Sequence, residues 1–125
     1  MILLDTNALI WWIADSKQLG VQARALISDE QLVHYSAASV FEIEIKKQRL
    51  FKMPDDLPGE FSRRGFIEAP ITARDAAAIH SADLRGHDPF DQLLLAQALN
   101  RGMRLLTSDR KIIERGFDFV LDARA

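Results

Sequence analysis

Short apolar runs alternate along this chain with longer stretches whose apolar residues recur at helical spacing. Ile2-Leu3-Leu4 is the first run, a buried strand too brief for periodicity to decide alone. Leu9, Ile10 and Ile13 give the next stretch one apolar side, with Thr6 or Asn7 able to start the helix. Gly20 interrupts before a second helix containing Val21, Ala25, Leu26 and Ile27. Leu32-Val33-His34-Tyr35 predicts a second strand ending at Ser36. Ser39, with Glu42 three places on, predicts a capped helix from Val40 to Leu50. Ile43, Lys46, Lys47 and Leu50 would divide that helix into an apolar and a basic side.

Pro54, Pro58 and Gly59 predict a loop leading to a short helix near Glu60 to Arg64. A third strand is expected within Phe66-Ile67-Glu68-Ala69-Pro70, then a helix through His80 capped by Thr72 and Asp75. Asp88-Pro89 opens a further helix, which Leu93, Leu94, Ala96 and Ala98 carry to Asn100 before Gly102 stops it. Arg104-Leu105-Leu106-Thr107 is the fourth strand, Ser108 to Arg115 a helix, and Phe119-Val120-Leu121 the last strand. Brief strands alternating with amphipathic helices predict an α/β fold around a parallel sheet.

Composition narrows the classes. The 125 residues suit one domain, residues 1–125, with a real core, and no repeat or linker divides them. Apolar and charged fractions of 48% and 27% are those of a water-soluble globular chain. No apolar run approaches the roughly 18 residues of a membrane span. No basic region precedes the first run, so no secretory signal is expected. Cysteine is absent, which excludes disulfides and thiolate metal sites and permits a reducing compartment. A net charge of −2 offers no global positive field for nucleic acid, leaving local patches and metal ions as the means of binding it.

Position then singles out four acids. Asp5 ends the first strand, Glu42 follows the second, Asp109 follows the fourth, and Asp91 lies in the first turn of the Asp88 helix. In a parallel sheet, Asp5, Glu42 and Asp109 reach one edge, where open α/β sheets bind ligands. Asp91 joins them if its helix starts there. Clustered carboxylates repel one another, and a hard divalent cation relieves that repulsion. All-oxygen ligands without Cys favour Mg²⁺ or Mn²⁺ over Zn²⁺, and such ions support phosphodiester hydrolysis. The ordinary account is that acids in first turns complement the helix dipole. Asp88 fits it best as an N-cap, and Glu42 and Asp109 each admit it. Asp5 resists it, since a lone acid buried at a strand end costs several kcal/mol, on the order expected for an unpaired buried polar group.

Four blocks carry a resemblance. They are Leu3 to Trp11 (LLDTNALIW), Ser36 to Ile43 (SAASVFEI), Asp88 to Ala98 (DPFDQLLLAQA) and Leu105 to Asp109 (LLTSD). In this order they resemble the PIN-domain nucleases, and more narrowly the VapC-type toxins of toxin–antitoxin pairs. The resemblance runs nearly end to end. It implies a three-layer α/β/α sandwich with about five short parallel strands. It also implies that Asp5, Glu42, Asp91 and Asp109 hold Mg²⁺ or Mn²⁺ for cleavage of RNA, transfer or ribosomal. Asn7 and Thr107, with Asp88 as a lesser candidate, would orient the carboxylates or water. The implied partners are a VapB-type antitoxin and a second copy of the chain, in bacterial or archaeal cytoplasm.

Two departures stand out: Gly86-His87 where many relatives carry His-Arg before the acidic block, and Gln92 where they carry Arg after it. They bear on substrate contacts more than chemistry. His87 is either a phosphate contact or solvated. Glu44 is read as solvated or paired with a lysine. Lys46, Lys47, Arg49, Lys52, Arg63 and Arg64 either track an RNA backbone or form solvated faces. Of Trp11 and Trp12, one is expected in the core and the other at an interface. Two other functions stay open. An aspartyl-phosphate phosphohydrolase would use Asp5 as nucleophile, but Asn7 stands where a second Asp is wanted. A non-catalytic module would keep the fold and bind only metal, antitoxin or RNA.

Overall fold

β1 (Ile2–Leu4) is the middle of the molecule because all three of its side chains are fully buried. Such a strand is covered on both faces and so reads as an unbroken apolar run. In this computed structural model, which describes residues 1–50 and 52–125, Ile2 and Leu4 enter one core and Leu3 the other. The first core is filled by Leu9 and Trp11 of α1 (Thr6–Ile13), Ile27 of α2 (Val21–Asp29), Ile43 of α3 (Ala37–Lys46) and Phe61 of α4 (Leu57–Arg63). The second takes Leu94, Leu95 and Ala98 of α6 (Pro89–Arg101) and Ile112 of α7 (Arg110–Glu114). Between them lies α5 (Ala73–Ala77) in chain order, closed by the predicted Thr72–Asp75 capping box.

The sheet adds β2 (Val33–Ser36), β3 (Ile67–Ala69), β4 (Arg104–Thr107) and β5 (Val120–Asp122). Its order is β3-β2-β1-β4-β5, and every neighbouring pair is parallel. The α/β/α sandwich on five short parallel strands is therefore as expected. The chain grows from β1 outward through β2 and β3, then returns to build β4 and β5 on the other side. That reversal opens a crevice between β1 and β4 at the carboxyl edge, the customary ligand position in such sheets. Among the described residues, no helix is long and apolar enough to cross a membrane.

Three helix starts differ from expectation. α3 begins at Ala37, not Val40, because Ser36 rather than Ser39 caps it: Ser36 Oγ accepts from Ala38 N at 3.1 Å. Glu42 thus lies in mid-helix and Ser39 is buried. The helix stops at Lys46, followed by a 3-10 turn over Lys47–Arg49. Its faces also differ: Ile43 is buried, while Phe41 and Ile45 stand 61% and 59% exposed. α4 starts at Leu57, because Asp56 caps it and Pro58 sits in the first turn, where its missing N–H costs nothing. α7 starts at Arg110, with Asp109 its cap.

Candidate active site

Asp5 leaves β1 with its backbone N–H bonded to the Leu106 carbonyl of β4, which fixes it at the mouth of the crevice. The residue is 4% exposed, and its carboxylate is fully engaged. Oδ1 accepts from Ala8 N at 2.7 Å, capping α1. Oδ2 accepts from Thr107 Oγ1 at 2.8 Å, Ser108 N at 2.8 Å and Ser108 Oγ at 3.3 Å. Burial still raises its pKa; the bonds from Ala8, Ser108 and Thr107 pull in the other direction. Thr107 is shared, since its hydroxyl also accepts from Asp109 N at 3.0 Å. One β-branched hydroxyl at the end of β4 therefore ties Asp5 to the start of α7.

Asp109 uses Oδ1 to cap α7, accepting from Lys111 N at 2.9 Å and Ile112 N at 3.4 Å. Glu42 enters from α3 and is held from both sides. Its Oε1 accepts from Thr6 Oγ1 at 2.6 Å and its Oε2 from Lys46 Nζ at 2.6 Å. The Lys46 pKa is raised: the Glu42 bond acts most, burial opposes it, and the charges of Glu42, Asp88 and Asp91 add to it. Asp88 caps α6 through Phe90 N at 2.8 Å and Asp91 N at 3.3 Å.

Asp91, in the first turn of α6, is the least comfortable acid. Burial raises its pKa first, then the adjacent Asp109 carboxyl, then Asp5 and Asp88, to about 8. These side chains meet in one cleft of about 240 Å³, lined by Asp5, Glu42, Asp88, Asp91 and Asp109 together with Asn7, Lys46 and Arg124. The four predicted acids thus share a cavity. Asn7 Nδ2 donates to Ser108 Oγ at 3.0 Å, and Thr107 is buried behind Asp5. Among the described residues, no three acids form a ready-made ligand cage, because Glu42 is turned to Thr6 and Lys46 while the caps occupy Asp5 and Asp109.

The PIN-domain family profile matches residues 2–118. The chain belongs to the PIN-domain family. A relative, Ribonuclease VapC22 of Mycobacterium tuberculosis, is 28% identical over 117 residues, covering 89% of this chain and 88% of that protein. Among solved structures, a toxin–antitoxin complex from Klebsiella pneumoniae superposes with a TM-score of 0.70 at 19% identity, over 98% of both chains. VapBC2 from Rickettsia felis, bound to a DNA fragment from its promoter, gives a TM-score of 0.65 at 13% identity and again 98% of both chains. At these identities the two structures speak for the fold.

Within this PIN domain, the departing residues stay out of the cleft. Gln92 Nε2 donates to the His87 carbonyl at 2.7 Å, bracing the loop into α6, and neither side chain lines the cavity. Glu44 pairs with Lys47 at 3.0 Å, and Arg63 and Arg64 pair with Glu60. Trp11 is buried, while Trp12 is half-buried and lies 6.4 Å from the Phe66 ring. Sequence reasoning missed four cleft participants: Thr6, Ser108, Lys46 in its role beside Glu42, and Arg124. The i,i+4 spacing of Glu42 and Lys46 was a usable signal for one of them.

Proposed function

We propose that this chain is a divalent-metal-dependent endoribonuclease of the VapC type, restrained by a cognate antitoxin. The observation that carries it is the electrostatic imbalance of the cleft. Four carboxylates from the end of β1, α3, α6 and the start of α7 converge, and Asp91 holds its proton up to about 8. A cation relieves that imbalance. The donors fit one: they are all oxygen, no His or Cys among the described residues lines the cleft, and its volume admits a partly hydrated ion. Asp5, Glu42, Asp91 and Asp109 would hold Mg²⁺ or Mn²⁺. Bound there, such an ion polarises a phosphodiester and makes water a better nucleophile.

The remaining roles belong to the chain. Thr107 and Ser108 fix the Asp5 carboxylate in orientation, and Thr6 does the same for Glu42. Asn7 steadies Ser108, and Asp88 sets the start of the helix that presents Asp91. Asp5 is a poor nucleophile, since both its oxygens are occupied by donors, which disfavours the phosphohydrolase account. The ribonuclease relative and the toxin–antitoxin neighbours support the substrate class and the partner. Exposed Phe41 and Ile45, with Phe90 6.1 Å from Phe41, support a protein-covered surface near this edge, antitoxin or second copy. A toxin acting on cellular RNA works in the cytoplasm.

Expression in a bacterial host separates catalysis from binding. Wild type is expected to arrest growth and to leave new RNA ends at defined positions in tRNA or rRNA. Asp91→Asn at equal protein level should do neither. Equal toxicity of that variant would assign the arrest to a non-catalytic binding module.

A further inference from the structure

The acidic cleft faces a polyanion, so the cations at its rim decide how an RNA strand is held. Among the described residues two line it, Lys46 and Arg124. Lys46 is already spent, with its ammonium 2.6 Å from Glu42. Arg124 makes no ion pair among the described residues. Its Nη1 donates to the Ser108 carbonyl at 2.6 Å, and the guanidinium stands over the Trp11 ring, 5.2 Å from its centroid. These two contacts aim the group while leaving Nε and Nη2 without a protein partner among the described residues.

The backbone beneath it is clamped. Gly20 N donates to the Ala123 carbonyl at 2.9 Å, Gln22 N to that of Ala125 at 3.0 Å, and Arg124 N to Asp122 Oδ1 at 2.8 Å. A Cβ at Gly20 would collide with the backbone of Arg124 and Ala125, so only glycine permits this approach. A surface arginine of no consequence would not require a close-packed glycine, a ring and a carbonyl to hold it beside the carboxylates.

We propose that Arg124 is a substrate-binding residue that takes a phosphate of the RNA strand at the rim of the acidic cleft. This rests on the ribonuclease reading above. The planar fork of donors suits a phosphate, and the fixed charge offsets the repulsion between the strand and the five acids of the cleft.

The test is binding of a short fluorescein-labelled single-stranded RNA of mixed sequence, measured in EDTA over a range of salt. It compares wild type, Arg124→Gln and Arg124→Lys, with thermal midpoints measured in parallel. Loss of one phosphate contact should weaken binding about tenfold at low salt and reduce the slope of log K against log salt by about 0.7. Arg124→Lys should keep the wild-type slope even where the lost Trp11 stacking lowers its midpoint. An unchanged slope and affinity in Arg124→Gln overturns the assignment and leaves the nuclease reading standing. So does a Lys variant whose salt slope falls as far as that of the Gln variant. Wild type that neither binds nor cuts RNA overturns both.

Discussion

Asp91→Asn should make the metal-free protein more stable at alkaline pH. The wild-type carboxyl has a folded pKa of about 8 against 3.8 in the unfolded chain, raised by burial and then by the neighbouring Asp109. A raised acid pKa contributes stability that is complete below the unfolded value and is lost as pH climbs to the folded one. Four units at about 1.4 kcal/mol each set a ceiling near 6 kcal/mol above pH 8. The group is only partly enclosed, so solvent screening brings the expected figure to about 2 kcal/mol. Against it stands the loss of a first-turn charge on α6, about 0.5 kcal/mol. The gain wins, and at roughly 4 °C per kcal/mol the midpoint should rise by about 6 °C. Thermal melts in EDTA from pH 4 to 9 measure it: the two proteins should coincide near pH 4 and separate progressively to about pH 8. Saturating Mg²⁺ or Mn²⁺ should reverse the order, since only wild type keeps the full ligand set. Coincident melts at pH 4 and 9, or a variant less stable at pH 9, would refute the reasoning.

Asp75 is the opposite case. Burial raises its pKa, but Arg101 Nη2 at 2.5 Å and Thr72 N at 2.9 Å outweigh it and bring it to about 2. Its stabilisation is present above the unfolded value and lost as pH falls from about 4 to 2. Asp75→Asn should therefore cost about 2 kcal/mol at neutral pH and flatten that acid limb in urea unfolding. Thr107→Val removes a donor from Asp5 and an acceptor from Asp109 N. It should cost about 1–2 kcal/mol and lower RNA cleavage roughly 10–100-fold, with Thr107→Ser restoring most of both. An activity of Thr107→Val equal to wild type would show that Thr107 does not orient Asp5.

The strands were legible because each is a run of apolar residues with no room for a helical turn, and parallel pairing buries such runs on both faces. Asp5, Asp91 and Asp109 were legible because each falls where a helix begins at the carboxyl edge. Glu42 was found for a partly mistaken reason: Ser36 and Ser39 are both acceptable caps, and only the end of β2 against β3 chooses Ser36. That shift of three residues puts Glu42 in mid-helix, where Thr6 and Lys46 hold it. Arg124 carries no local signal. Its place at the Ser108 carbonyl depends on the β4–β5 pairing and on the close approach of Arg124 and Ala125 to Gly20, which are tertiary facts.

Cleavage of purified RNA by the partner-free chain tests the central claim most directly, with Mg²⁺ or Mn²⁺, with EDTA, and with a folded Asp5→Asn variant run alongside. The account predicts discrete cleavage that requires the added ion, stops on chelation, and falls by at least about 10²-fold in the variant, as expected when a metal ligand is lost. Cleavage that persists in EDTA, or an Asp5→Asn protein as active as wild type, would contradict it.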